Sequence, residues 1–97
     1  MDIRTLKNDT DWQIMFMFLN YRNLCRDIQN HHINRIDINN IISLYGNEIN
    51  QISEEFRIIT LAFDEQSYNK YIMLQSKIYP ITQHCENLRK ELMRSVL

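Results

Sequence analysis

Apolar residues recur at alternating spacings of three and four from Tyr71 to Leu92, through Leu74, Ile78, Ile81, Cys85 and Leu88. A half-buried strand repeats every second residue, so this spacing defines instead the a/d seam of a heptad helix. A second run, Ile49, Ile52, Phe56, Ile59 and Phe63, is spaced the same way. Two such seams call for lengthwise helix contact. The expected fold is all-α: an antiparallel helical bundle of three main helices plus one short helix, with a kinked C-terminal heptad helix. Residues 1–97 are read as one domain, because a chain this long buries roughly 60–70% of its unfolded surface in a single core.

Local signals set the expected boundaries. Residues 1–9 read as a lead-in from which Ile3 and Leu6 tuck onto the bundle. Thr10 and Gln13 have the spacing of a capping box, so the first helix is expected to open at Thr10 and to end in the polar stretch Gln29 to Asn34. Asp37 then caps a short helix through Ile38, Ile41, Ile42 and Tyr45, which Gly46, the only glycine, is expected to stop. Asn47 caps the third helix, which runs to about Phe63. The heptad phase jumps by one residue there, which places a turn at Asp64–Ser67; the alternative is one long helix over 47–96. The last helix spans Ser67 to Val96, and Pro80 inside it predicts a kink near Ser76–Tyr79.

Composition narrows the function classes. Net charge is −1 and is balanced between the halves, so no basic face is offered to nucleic acid or anionic lipid. No apolar run approaches a membrane span and no secretory signal opens the chain, which makes the cytoplasm the expected compartment. Scarce Gly, Ala and Pro beside abundant Ile and Asn fit an AT-rich gene, as in a phage or a mobile island. Cys25 and Cys85 both occupy apolar helical positions and read as small buried hydrophobes rather than a disulfide or metal pair. His31, His32 and His84 lack ligand spacing, since neighbours along a helix point about 100° apart. No metal and no cofactor is expected. The tyrosines Tyr68, Tyr71 and Tyr79 read as amphipathic packing where the last helix begins.

The first helix carries the most telling pattern. Ile14, Met17, Phe18, Tyr21, Leu24, Cys25 and Ile28 cover one broad stripe, while Trp12, Met15, Phe16 and Leu19 form a second on the opposite side. Asn23 and Arg26 continue that second line as polar residues. A central helix buried all round would show both stripes; so would a helix with one face in its own core and one on a partner. The second reading is favoured, because Trp, Met and Phe are enriched in interface cores. Leu88, Leu92 and Met93 are assigned to the same role, since the last helix is expected to overhang a shorter first helix. Ile58, Leu61 and Ala62 lie off the seam and read as core. The charges Glu86, Arg89, Lys90, Glu91 and Arg94 read as a solvated face.

These patterns lead to a non-enzymatic protein-binding module: an adaptor, regulator or small chaperone, phage-encoded or associated with a secretion system. Its partner is another protein, a second copy, or both. One alternative is a helix-turn-helix over residues 38–57, with Gly46 in the turn and Asn50, Gln51 and Arg57 reading DNA. Bulky Ile42 and the acidic Glu48, Glu54 and Glu55 weigh against it. The other is a small all-helical enzyme of the chorismate-mutase type, with Arg22 and Arg26 binding a dianion. Pairing of arginine with Asp27 or Asp37 is the plainer use of those charges.

Overall fold

The computed structural model describes residues 2–62 and 66–96 and, for Val96, the backbone alone. It consists of α1 (Ile3–Asn30), α2 (Ile36–Ala62) and α3 (Ser67–Val96). The helices pack side by side into a rod of 48 × 21 × 17 Å. Cross-helix contacts fix the topology. Gln75 Nε2 donates to Thr10 Oγ1 at 2.9 Å, and Arg89 pairs with Asp27, so α1 and α3 run parallel. Tyr45 meets His84 and Glu55 meets Lys77, so α2 runs antiparallel to α3. Each consecutive pair is thus antiparallel, as expected. α2 and α3 are separate helices packed on each other, not one long helix. Phe63 and the first half of the turn expected at Asp64–Ser67 fall outside the described residues.

The C-terminal seam is the core. Tyr71, Leu74, Ile78, Ile81, Cys85, Leu88 and Leu92 are all buried, together with Ile49, Ile52 and Ile59 of α2 and Leu6, Ile14, Met17 and Leu24 of α1. Phe56 packs its edge on Tyr71 with ring centroids 6.0 Å apart. α3 continues through Pro80 as one helix.

Two boundary expectations are corrected. α1 begins at Ile3, capped by Asp2, whose carboxylate accepts from Thr5 N–H at 2.9 Å. Thr10 is therefore mid-helix and fully buried. Its hydroxyl donates to Leu6 O at 2.8 Å while accepting from Gln75, so it serves the core seam rather than a helix start. Ile3 and Leu6 do pack on the core, as members of α1 and not as a lead-in.

The short helix and the third helix are one helix. Residues 36–62 continue unbroken through Gly46, which has no positive φ. A glycine costs an interior helix about 1 kcal/mol relative to alanine, and a close approach explains its presence here. Tyr21 Oη of α1 donates to Ile42 O of α2 at 2.9 Å. A Cβ on residue 46 would lie 2.8 Å from the Tyr21 hydroxyl oxygen. Glycine is thus the residue that lets the tyrosine reach the α2 backbone.

Candidate functional site

With α2 extended back to Ile36, the three helices have nearly equal lengths of 28, 27 and 30 residues. The expected overhang of α3 accordingly vanishes. Leu88 and Leu92 are buried in the common core with Ile38, and Met93, Ile28, Ile33 and Ile41 pack against it. Their assignment as a partner surface is corrected: this chain covers them itself.

The outer stripe of α1 is different. Trp12 is 71% exposed, Met15 57%, Phe16 54% and Leu19 53%. The reason lies in helix periodicity. The core line of α1 runs Leu6, Thr10, Ile14, Met17 and Leu24, and at about 100° per residue Trp12, Met15, Phe16 and Leu19 fall on the far side. In a three-helix bundle no further helix stands there. Phe18, expected in the core stripe, is 39% exposed at the edge of this face. It sits between the two stripes, and the helix beside α1 leaves that flank open. Together these rings border a shallow apolar hollow of about 470 Å³ that also involves Ile14 and ends at Arg22.

The five side chains display roughly 500 Å² between them, at about 150–250 Å² for a whole aromatic and in proportion to their exposure. Monomeric proteins rarely show more in one contiguous patch. The charges around the patch are segregated. Asp9 and Asp11 lie on its N-terminal side and Arg22 and Arg26 on its C-terminal side, all exposed. Asp27 is engaged by Arg89, and Asp37 by Arg35 at 2.7 Å, so neither carboxylate meets Arg22 or Arg26.

A second apolar group, expected in the core, is exposed. Ile58 is 54% and Leu61 73% exposed, and Ile58 borders a hollow with Met73, Lys70 and Lys77. These positions lie off the α2 seam, and α3 covers only the seam. Tyr68 and Tyr79 are likewise at the surface, while Tyr71 is buried.

The chemistry-bearing residues are dispersed. His31 and His32 are exposed in the α1–α2 connection, where His32 takes a positive φ of 52°. His84 lies edge-on to Tyr45 with centroids 5.5 Å apart, and its Nδ1 meets the tyrosine hydroxyl. Sequence spacing gives no sign of that pair, which depends on how α2 and α3 are staggered. Cys25 and Cys85 are free thiols, and burial pushes Cys85 up to about 11. Burial also raises Tyr21 to about 12. Among the described residues no group of three or more His, Cys, Asp or Glu side chains is placed to hold a metal ion. No described helix is long and apolar enough to cross a membrane.

The alternative assemblies meet the same geometry. Residues 38–57 contain no turn, because α2 is continuous there, and Arg57 is paired with Glu54 at 2.6 Å. Arg22 and Arg26 border an open groove formed by α1 residues alone, with Tyr21, Cys25 and Gln29, rather than a cleft between packed helices. Among the described residues, the outer face of α1 is a contiguous surface that unites Trp12, Met15, Phe16 and Leu19. No protein-family model, no curated protein and no solved structure matches this chain.

Proposed function

We propose that the protein is a non-enzymatic protein-binding module, an adaptor, regulator or small chaperone, that docks a partner on the outer face of α1. The observation that carries this reading is the exposure of Trp12, Met15, Phe16 and Leu19 on one face of a helix whose other face is locked into the core. A rigid helix presenting large apolar side chains offers a partner helix anchors at i, i+3, i+4 and i+7 with little ordering cost. The proposed compartment is the cytosol, where free thiols such as Cys25 and Cys85 persist. Scarce Gly, Ala and Pro beside abundant Ile and Asn support a phage-encoded or secretion-system chaperone as the specific form of the reading.

The test is the double substitution Phe16→Ser with Leu19→Ser. Both side chains are about half exposed, so circular dichroism should report an intact helical fold. Truncating central interface anchors costs on the order of 2–4 kcal/mol each. Proteins captured by the tagged natural chain from its native cell, identified by mass spectrometry, should therefore be lost with the variant. Unfolding of the variant, or capture that persists undiminished, refutes the assignment of this face.

A further inference from the structure

The spacing of residues along the outer face of α1 is the same in both directions, while the charges at its two ends differ in sign. Asn8, Trp12, Met15, Leu19, Arg22 and Arg26 follow one another at spacings of four, three, four, three and four. Building on the docking role proposed for this face, we infer that its occupant is a second copy of the chain, laid antiparallel along α1 about a two-fold axis level with Met17. Reversal sets Met15 opposite Leu19 of the other copy, Trp12 opposite Arg22, and Asn8 opposite Arg26. The two-fold makes each contact twice.

Charge complementarity selects this arrangement. Trp12, the most exposed member of the patch at 71%, offers an indole face that a guanidinium covers well. Asp11 stands beside it, exposed, and faces the same arginine, so Arg22 of one copy meets an aromatic ring and a carboxylate of the other. Asp9, Asp11 and Arg22 have no ion-pair partner among the described residues. Asp27, the acid on the arginine side, is already engaged by Arg89. Of the bases on the acidic side, Arg4 lies a full turn beyond Asn8, and Lys7 lies with Ser67 and Tyr71 on the flank toward α3. An in-register parallel pairing would instead set Arg22 against Arg22, like against like, and would lose the contact between Asp11 and Arg22.

A patch of roughly 500 Å² on each copy gives about 1,000 Å² in total, the lower end for a specific association. An interface of this size is that of a transient association, so the dimer should be concentration-dependent.

Sedimentation velocity of the purified full chain, from about 1 to about 500 μM, reads the equilibrium. Emission of Trp12, the only tryptophan, should shift to the blue as the dimer forms. Asp11→Arg and Arg22→Asp should each weaken dimerisation about tenfold or more, since each turns two attractions into repulsions. The double variant Asp11→Arg with Arg22→Asp exchanges the charges and should recover most of the lost affinity. All these positions are exposed, and circular dichroism verifies that each variant is folded. A monomer at every concentration overturns the second copy. In that case, loss of a captured protein in the Phe16→Ser, Leu19→Ser variant keeps the docking face itself. A dimer that survives that variant overturns the second copy on this face, and captured proteins that also persist overturn the docking face itself. A dimer lost in it but insensitive to charge reversal, or not rescued by the exchange, overturns the antiparallel arrangement.

Discussion

Replacing Gly46 by alanine tests the packing of α1 on α2, and its sign depends on a residue of another helix. Alanine in a helix interior gains about 1 kcal/mol over glycine, largely by restricting the unfolded chain. Against this, the new Cβ would stand 2.8 Å from Tyr21 Oη, closer than side-chain carbons approach. The hydroxyl must retreat by more than half an ångström (about the shortfall from van der Waals contact), and its 2.9 Å bond to Ile42 O is lost. An intramolecular hydrogen bond contributes about 0.5–1.5 kcal/mol, and a donor left buried without a partner costs about 1–3 kcal/mol. That hydroxyl is part-buried, so water only partly replaces the lost bond. Gly46→Ala alone should therefore be neutral to about 2 kcal/mol destabilising. In a Tyr21→Phe background the next atom, the ring carbon at 3.7 Å, is in ordinary contact. The same substitution should then stabilise by about 1 kcal/mol. Urea unfolding of the four proteins, followed by far-ultraviolet circular dichroism, closes the cycle. A coupling of at least about 1 kcal/mol is expected. If Gly46→Ala stabilises equally in both backgrounds, the close approach is not what keeps this glycine.

Two further outcomes probe the core. Ile81→Asp places an unpaired carboxylate at a 4% exposed seam position; this costs several kcal/mol of a total of roughly 5–15, so an unchanged melting temperature would refute the seam. Cys85 is fully buried and its thiol is pushed up to about 11 from an ordinary 9.0, so it should react with a thiol reagent only on unfolding, after the half-buried Cys25. A thiol raised on folding holds its proton longer in the native state, so its contribution is complete below pH 9 and fades as pH climbs through about 11. Urea stability should fall over that window and fall less in Cys85→Ala; a flat profile would contradict the burial.

The parts of the fold that were legible in the sequence are those set by periodicity alone. The seam from Tyr71 to Leu92 is buried at every position, because a strict repeat of three and four leaves a helix one face to bury. The boundaries were not legible at Thr10 and Gly46. Both carry chemistry that ends helices when a helix stands alone, and both are used here across helices. Thr10 joins α1 to Gln75, and Gly46 admits Tyr21. A hydroxyl that accepts a backbone bond as a cap and one that accepts an amide from a neighbouring helix look identical in one dimension. The same misplaced start and stop created an overhang at Leu88 and Leu92 that the full-length α2 removes.

The surface followed a different logic. A core position needs a neighbour, and which neighbour depends on the axial stagger of the helices, which spacing does not fix. The pairs Asp27–Arg89 and Tyr45–His84 were hidden for that reason. Exposure of Trp12, Met15, Phe16 and Leu19 needed only the count of helices: a helix with two apolar stripes in a three-helix bundle must leave one uncovered. Phe18 escaped because its direction lies between the stripes, where the tilt of one neighbour decides whether a ring is covered. What lies against the exposed stripe is then a question of chemistry along a single helix. There the acids precede the apolar centre and the arginines follow it, an order that a copy running the other way complements and a copy running the same way opposes.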